Sequence, residues 1–174
     1  MSREIGETME TKEKMLVRGA MLLAIGLLAQ QLRLILPLPR FVTTLIIGTL
    51  VNAALVIAAR HAGLFVSTVI AILLPLVAFF QGQLLLAFLI PVVAFGNIVL
   101  VVLCNRWWST PIFAIAPIAK TFTLYALATL VLMTFDFPEN IMRGVLVGMG
   151  WPQLITAVLG VILAIIVDKR LEIS

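Results

Sequence analysis

Lys120 is the residue that most needs a reason. It lies roughly nine residues into an unbroken apolar stretch, about 13 Å along a helix at 1.5 Å per residue. In hydrocarbon an ionisable side chain costs about 2.5–3.5 kcal/mol on insertion scales, so it marks function by default. The competing reading is a lysine that snorkels to the membrane surface. Snorkelling lysines sit within a turn or two of a helix end, and Lys120 is deeper. An ammonium has only donors, so a functional Lys120 points to an anionic or electron-rich ligand. Asn52, Asn97 and Gln153 hold similar mid-depth positions in three other apolar stretches. Each either joins neighbouring helices, at roughly 0.6 kcal/mol per hydrogen bond, or contacts a ligand. With Lys120 they suggest a polar pocket between helices.

More polar groups gather towards one side. Gln30, Gln31 and Arg33 end the first apolar stretch, Arg40, Thr43 and Thr44 open the second, and Gln81 and Gln83 flank Gly82 after the third. They read either as ordinary interfacial polarity or as hydrogen-bond recognition of a small polar molecule. In Trp151-Pro152-Gln153, Pro152 frees a backbone carbonyl near the middle of the sixth stretch, Gln153 adds two donors and an acceptor, and Trp151 offers a stacking face. Pro75, Pro91 and Pro117 are expected to break the third, fourth and fifth helices. Such breaks survive where neighbours or a cavity satisfy the freed groups.

Other chemistry has no carriers. No Asp or Glu stands at mid-depth, against a proton-coupled pump or small multidrug exporter. The single His61 and single Cys104 form no metal-ligand cluster, and no phosphate-binding glycine loop is present. No serine or cysteine has a plausible general base. The expectation is therefore no enzyme, no metal and no cofactor, with any energy for transport supplied by a partner.

The elements that would position these residues follow from composition. Of 174 residues, 63% are hydrophobic and 11% charged, with mean hydropathy +1.21. Soluble domains run about 45–50% apolar and about 25% charged. The chain reads as all-α: a polytopic membrane protein with a bundle of six transmembrane helices. Barrel strands would alternate apolar and polar residues in short segments, and these stretches are longer and continuous. The expected helices span about 15–36, 41–59, 64–80, 84–104, 111–135 and 144–167. Residues 1–14 form a solvated N-terminal tail without signal-peptide character, and residues 168–174 a C-terminal tail. Arg3, Lys12, Lys14, Arg18, Arg60, Arg106, Lys169 and Arg170 fall on one side, against Arg33, Arg40 and Arg143 on the other. The positive-inside rule then places both termini in the cytoplasm and Trp107 and Trp108 at the inner interface. It also accounts for the net charge of +4 without nucleic acid. The two halves show no matching broken segments of the kind inverted-repeat transporters carry.

Ala20 and Ala24 lie one turn apart on the first helix, a small-x-x-x-small spacing that lets another helix approach closely. Gly144 and Gly148 form a second such pair without further support.

With its size, six helices, inward termini and this alanine pair, the chain resembles the substrate-binding S components of energy-coupling factor (ECF) transporters. The resemblance covers nearly the whole chain. It implies uptake of a vitamin or related micronutrient across a prokaryotic cytoplasmic membrane, as the substrate-specific subunit of an ABC-type importer. It implies a membrane-embedded T component docked on Ala20 and Ala24, two ATPase subunits, and a long first loop over the outer mouth. It places substrate near the outer face, among the later helices and loops holding Arg40, Gln81, Gln83 and the stretch from Asp136 to Arg143. The Met-His-Asp start of nickel and cobalt members is absent. The expected ligand ring stacks on Trp151 or Tyr125. Its polar groups meet Asn97, Lys120, Gln153 and Asn52, and Gln81 or Gln83 closes above. Two other readings stay open: a membrane scaffold without ligand, and a self-contained secondary transporter.

Overall fold

A computed structural model describes residues 2–35, 37–84, 86–135 and 137–171, with side chains for Met9 and for residues 11–170 within those stretches. All the regular structure among them is α-helical: α1 (Ser2–Ile35), α2 (Arg40–His61), α3 (Gly63–Phe80), α4 (Leu89–Arg106), α5 (Thr110–Thr134), α6 (Glu139–Met149) and α7 (Trp151–Leu171). They supply six segments long and apolar enough to cross a bilayer, the sixth being α6 and α7 together. Large apolar side chains point outward along the bundle, among them Phe65, Phe80, Phe122 and Met133. Such a surface suits lipid, and in water it would aggregate. The protein is a multi-pass membrane protein.

The boundaries have local causes. α1 stops ahead of Pro37 and Pro39, because a residue before proline disfavours the helical region, and α2 opens directly after Pro39. Only four positions separate these helices, so the long first loop implied by the resemblance is not there. α2 and α3 are joined through Ala62 alone, and Gly63 makes the turn at φ 80°, a backbone state that glycine adopts without penalty. Pro111 sits in the first turn of α5, where its missing N–H is no loss.

Four further expectations change. Residues 1–14 are not a separate tail, since α1 is helical from Ser2. α4 begins at Leu89 rather than at 84, which puts Pro91 in its first turn, where it breaks nothing. The span expected over 144–167 is two helices with Gly150 between them. The φ/ψ of Gly150, −90° and −123°, leave the helix, and Pro152 falls in the first turn of α7 instead of kinking a helix centre. α6 is amphipathic, with Met149 buried and Asn140, Arg143 and Val147 exposed. At the far end, α7 runs on through Asp168, Lys169 and Arg170. Asp168 therefore lies in a helix and not in a tail. Arg3, Asp136 and residues 172–174 fall outside the residues whose side chains are described.

The helices pack on α2 as the hub. It meets α1, α3, α4 and α7, while α5 reaches α4, α6 and α7. α2 and α7 share the most extensive contact, because both are small where they cross. A Cβ on Gly160 would stand 2.5 Å from the Asn52 Cβ, and one on Gly48 2.7 Å from Thr156 Cγ2. α1 turns Gly26 towards Leu74 of α3. Ala20 and Ala24 are left exposed on the opposite face, with Val17 and Leu28. Gly144 and Gly148 face open space.

One apolar core, including Leu55, Ile70, Leu100, Ala116 and Val161, fills the end of the bundle nearer the termini. A smaller one, with Leu89, Val92, Leu124, Ala128 and Met149, fills the opposite end, where the α1–α2, α3–α4 and α5–α6 junctions lie. Lys120 stands on α5 between Ala116 of the first core and Leu124 of the second.

Candidate functional site

Pro75 starts the polar centre. A proline inside a helix has no N–H for the carbonyl four residues back, here that of Ala71. Asn97 Nδ2 donates to the Ala71 carbonyl at 3.3 Å, closing the gap from α4. Asn97 Oδ1 in turn accepts from Lys120 Nζ at 2.7 Å. Lys120 also donates to Asn52 Oδ1 on α2. Asn52 Nδ2 donates to Thr156 Oγ1 on α7 at 3.3 Å, and Thr156 Oγ1 donates to the Gln153 carbonyl at 3.1 Å. One run of hydrogen bonds thus crosses α3, α4, α5, α2 and α7. Asn52, Asn97 and Lys120 are each 2% exposed, so the depth read for them is also real burial.

Above this floor a cavity of about 180 Å³ opens towards the junction end. Its polar lining combines Gln30 and Arg33 from α1, Thr44 and Asn52 from α2, Gln83, Asn97, Lys120 and Gln153. No acidic side chain is among the lining residues. An apolar cavity of about 150 Å³ is enough for benzene, so this one accommodates a substituted ring or a molecule of that size.

Gln30, in the lining, carries an unusual polar group. The side chain is 4% exposed, and its Nε2 donates to the Leu74 carbonyl at 3.0 Å. Its Oε1 is buried without a hydrogen-bond partner. Buried acceptors are normally satisfied, and leaving one empty costs about 1–3 kcal/mol. Gln83 fixes the rim. Its Nε2 donates to the Gln30 carbonyl at 2.7 Å and to Gln81 Oε1 at 2.9 Å, tying the α3–α4 turn to the end of α1.

Of the residues expected at the site, Asn52, Asn97, Lys120, Gln153 and Gln83 meet at one cavity. Gln81 touches it only through Gln83. The others point elsewhere. Trp151 is half exposed, with its ring 5.3 Å from that of Phe41. Tyr125 is 47% exposed and lies beside Gly150 at the break in the sixth span. Arg40 is exposed at the start of α2. None of these three lines the cavity, so no aromatic side chain stacks there. Gln30, Arg33 and Thr44 join the polar lining; the sequence leaves them between interfacial polarity and recognition of a small polar molecule. Thr156 escapes a search for polar groups at mid-depth. Its signal is the spacing Thr156-x-x-x-Gly160-x-x-x-Ala164, which marks the close face of α7 more reliably than Gly144 and Gly148.

At the terminus end a second polar contact holds α2 to α7. His61 Nε2 lies 2.6 Å from Asp168 Oδ1, and Arg60 Nε 4.0 Å from Oδ2. Asp168 is 4% exposed. Asn105 Nδ2 donates to the Ala59 carbonyl at 2.6 Å, and Arg60 lies over the Trp108 ring at 5.2 Å. His61 thus holds a helix end in place. Among the described residues no group of three His, Cys, Asp or Glu side chains could hold a metal ion.

Comparison with protein-family models, curated proteins and solved structures finds no match to this chain.

Proposed function

We propose that the chain is the substrate-binding membrane subunit, the S component, of an ECF-type importer for a small organic micronutrient in a prokaryotic cytoplasmic membrane. The observation that carries this reading is the polar cavity with the unpartnered Gln30 Oε1. A scaffold gains nothing from a buried acceptor left open, whereas a ligand donor, reached by a small turn of the cavity-lining Gln30 side chain, would complete it. The cavity offers Arg33 and Lys120 as donors and no carboxylate. The solute it suits is a substituted ring or similar small molecule, neutral or anionic, with one N–H or O–H for Gln30. It enters from the junction end, past Arg33 and Gln83, and rests above Lys120. Ala20 and Ala24 stay exposed for a T component, whose two ATPases supply the energy.

The test is thermal unfolding of the purified protein with each of a panel of water-soluble vitamins and their precursors. A ligand at 100 times its dissociation constant stabilises by about 2.7 kcal/mol, and Gln30→Leu should remove that gain. A flat panel would overturn the binding role. It would favour a ligand-free scaffold, which is supported by the fact that Lys120 already bonds two helices. Docking has its own test: bulky residues at Ala20 and Ala24 should abolish co-purification with the T component and spare ligand binding.

A further inference from the structure

A second, larger concavity has no part in the polar site. It is a crease of about 630 Å³ on the other side of α2, between α1 and α7, near the terminus end. α1 and α7 both pack on α2 but not on each other, so a slot runs between them along α2. Its floor is small, Ala53 and Ala54, both buried at its base, and its walls are apolar: Met21 and Ile25 on one side, Leu163 and Val167 on the other. Two polar residues line it, Arg18 and His61.

We infer that this crease binds an anionic bilayer lipid, with one acyl chain between α1 and α7 and the headgroup at Arg18. Length supports the assignment. The crease follows α2 from His61 to Leu50, eleven residues or about 16 Å, and half of a ~30 Å hydrocarbon core is about 15 Å. It is one leaflet deep. Polarity supports it as well. The charged end coincides with the ends of α2 and α7, where Arg60, Lys169 and Arg170 also stand. No acid lines the crease, and Asp168, next to the lining residue Val167, is bound to His61 and close to Arg60. Arg18 is exposed and makes no ion pair with a described residue. A cationic rim over an apolar slot one leaflet deep fits a phosphate headgroup above a hydrocarbon tail. A partner helix would need no such match of charge and depth.

Native mass spectrometry of the delipidated protein in detergent, with phosphatidylglycerol or phosphatidylcholine of identical chains, tests this. Phosphatidylglycerol should be retained preferentially. Arg18→Gln should reduce that preference about fivefold, the effect of one basic residue near an anionic headgroup. Ile25→Trp, at a half-exposed wall position, should fill the slot and displace both lipids. Leu163→Trp does the same from the opposite wall, if the first variant fails to fold. Equal retention of the two lipids, or phosphatidylglycerol retention undiminished by either tryptophan, would overturn the inference. So would lipid-insensitive dimerisation abolished by the same tryptophans, which would assign the crease to a second copy of the chain.

Discussion

The link from Pro75 to Asn97 can be measured on its own. Asn97→Leu removes a side chain that donates to the Ala71 carbonyl and, through its oxygen, accepts from Lys120. In the wild-type background the Ala71 carbonyl is then left without its helical donor, because residue 75 is proline. Pro75→Ala restores an N–H at that position. The loss of the Lys120 contact is common to both backgrounds, so the cycle isolates the Ala71 contact. A buried orphan costs about 1–3 kcal/mol. Interhelical hydrogen bonds in membranes average about 0.6 and reach about 1.7 kcal/mol. The coupling should therefore be about 1 kcal/mol, a fivefold change in the unfolding equilibrium, with Asn97→Leu milder in the Pro75→Ala background than in the wild type. Reversible unfolding in mixed micelles, followed by circular dichroism for the four proteins of the cycle, reads it directly. Additivity within about 0.3 kcal/mol, the behaviour of independent sites, would refute the claim that Asn97 stands in for the donor missing at Pro75.

Three other measurements bear on the packing and the site. Gly160→Ala should destabilise by about 1–3 kcal/mol, as overpacked contacts do, since its Cβ would meet Asn52; Gly144→Ala should change the same unfolding midpoint little. His61→Leu strips Asp168 of its 2.6 Å contact and should cost about 1–3 kcal/mol, seen as loosening of the ends of α2 and α7 in hydrogen exchange. Gln30→Leu should weaken binding of a vitamin-panel hit about tenfold or more in calorimetry, with the ligand-free melting temperature nearly unchanged; full affinity would remove Gln30 from the site.

Depth is legible in this sequence, and facing is not. Asn52, Asn97 and Lys120 can be set at one level by counting from the ends of their apolar stretches. Equal depth in a narrow bundle brings polar groups together, since hydrocarbon offers them nothing else. Which side of a helix faces inward needs a polar face for contrast, and spans that are apolar all round have none. Trp151 and Tyr125 therefore enter the site only by the chemistry of their rings, and both lie at the surface. Gln30 and Arg33 read as peripheral because they are near a helix end, although they face the cavity. The break at Gly150 is visible in the sequence as Gly-Trp-Pro. What decides its form is that Gly150 leaves the helix ahead of Pro152. Asp168 reads as part of a tail because charge usually ends a span, yet here a histidine on the neighbouring helix lets the helix continue.

The order of the polar residues along the chain bears on how the protein is made. A lysine entering the bilayer alone is expensive, and domains emerge from the ribosome N-terminal end first. Asn52 and Asn97, the two acceptors of Lys120, both precede it in the chain. By the time α5 leaves the ribosome, α2 and α4 have already been synthesised. A nascent chain truncated after α5 should therefore insert that helix more completely than one in which both asparagines are leucine. In this protein the sequence order is itself an assembly instruction: the acceptors for the deeply buried Lys120 are installed before it arrives.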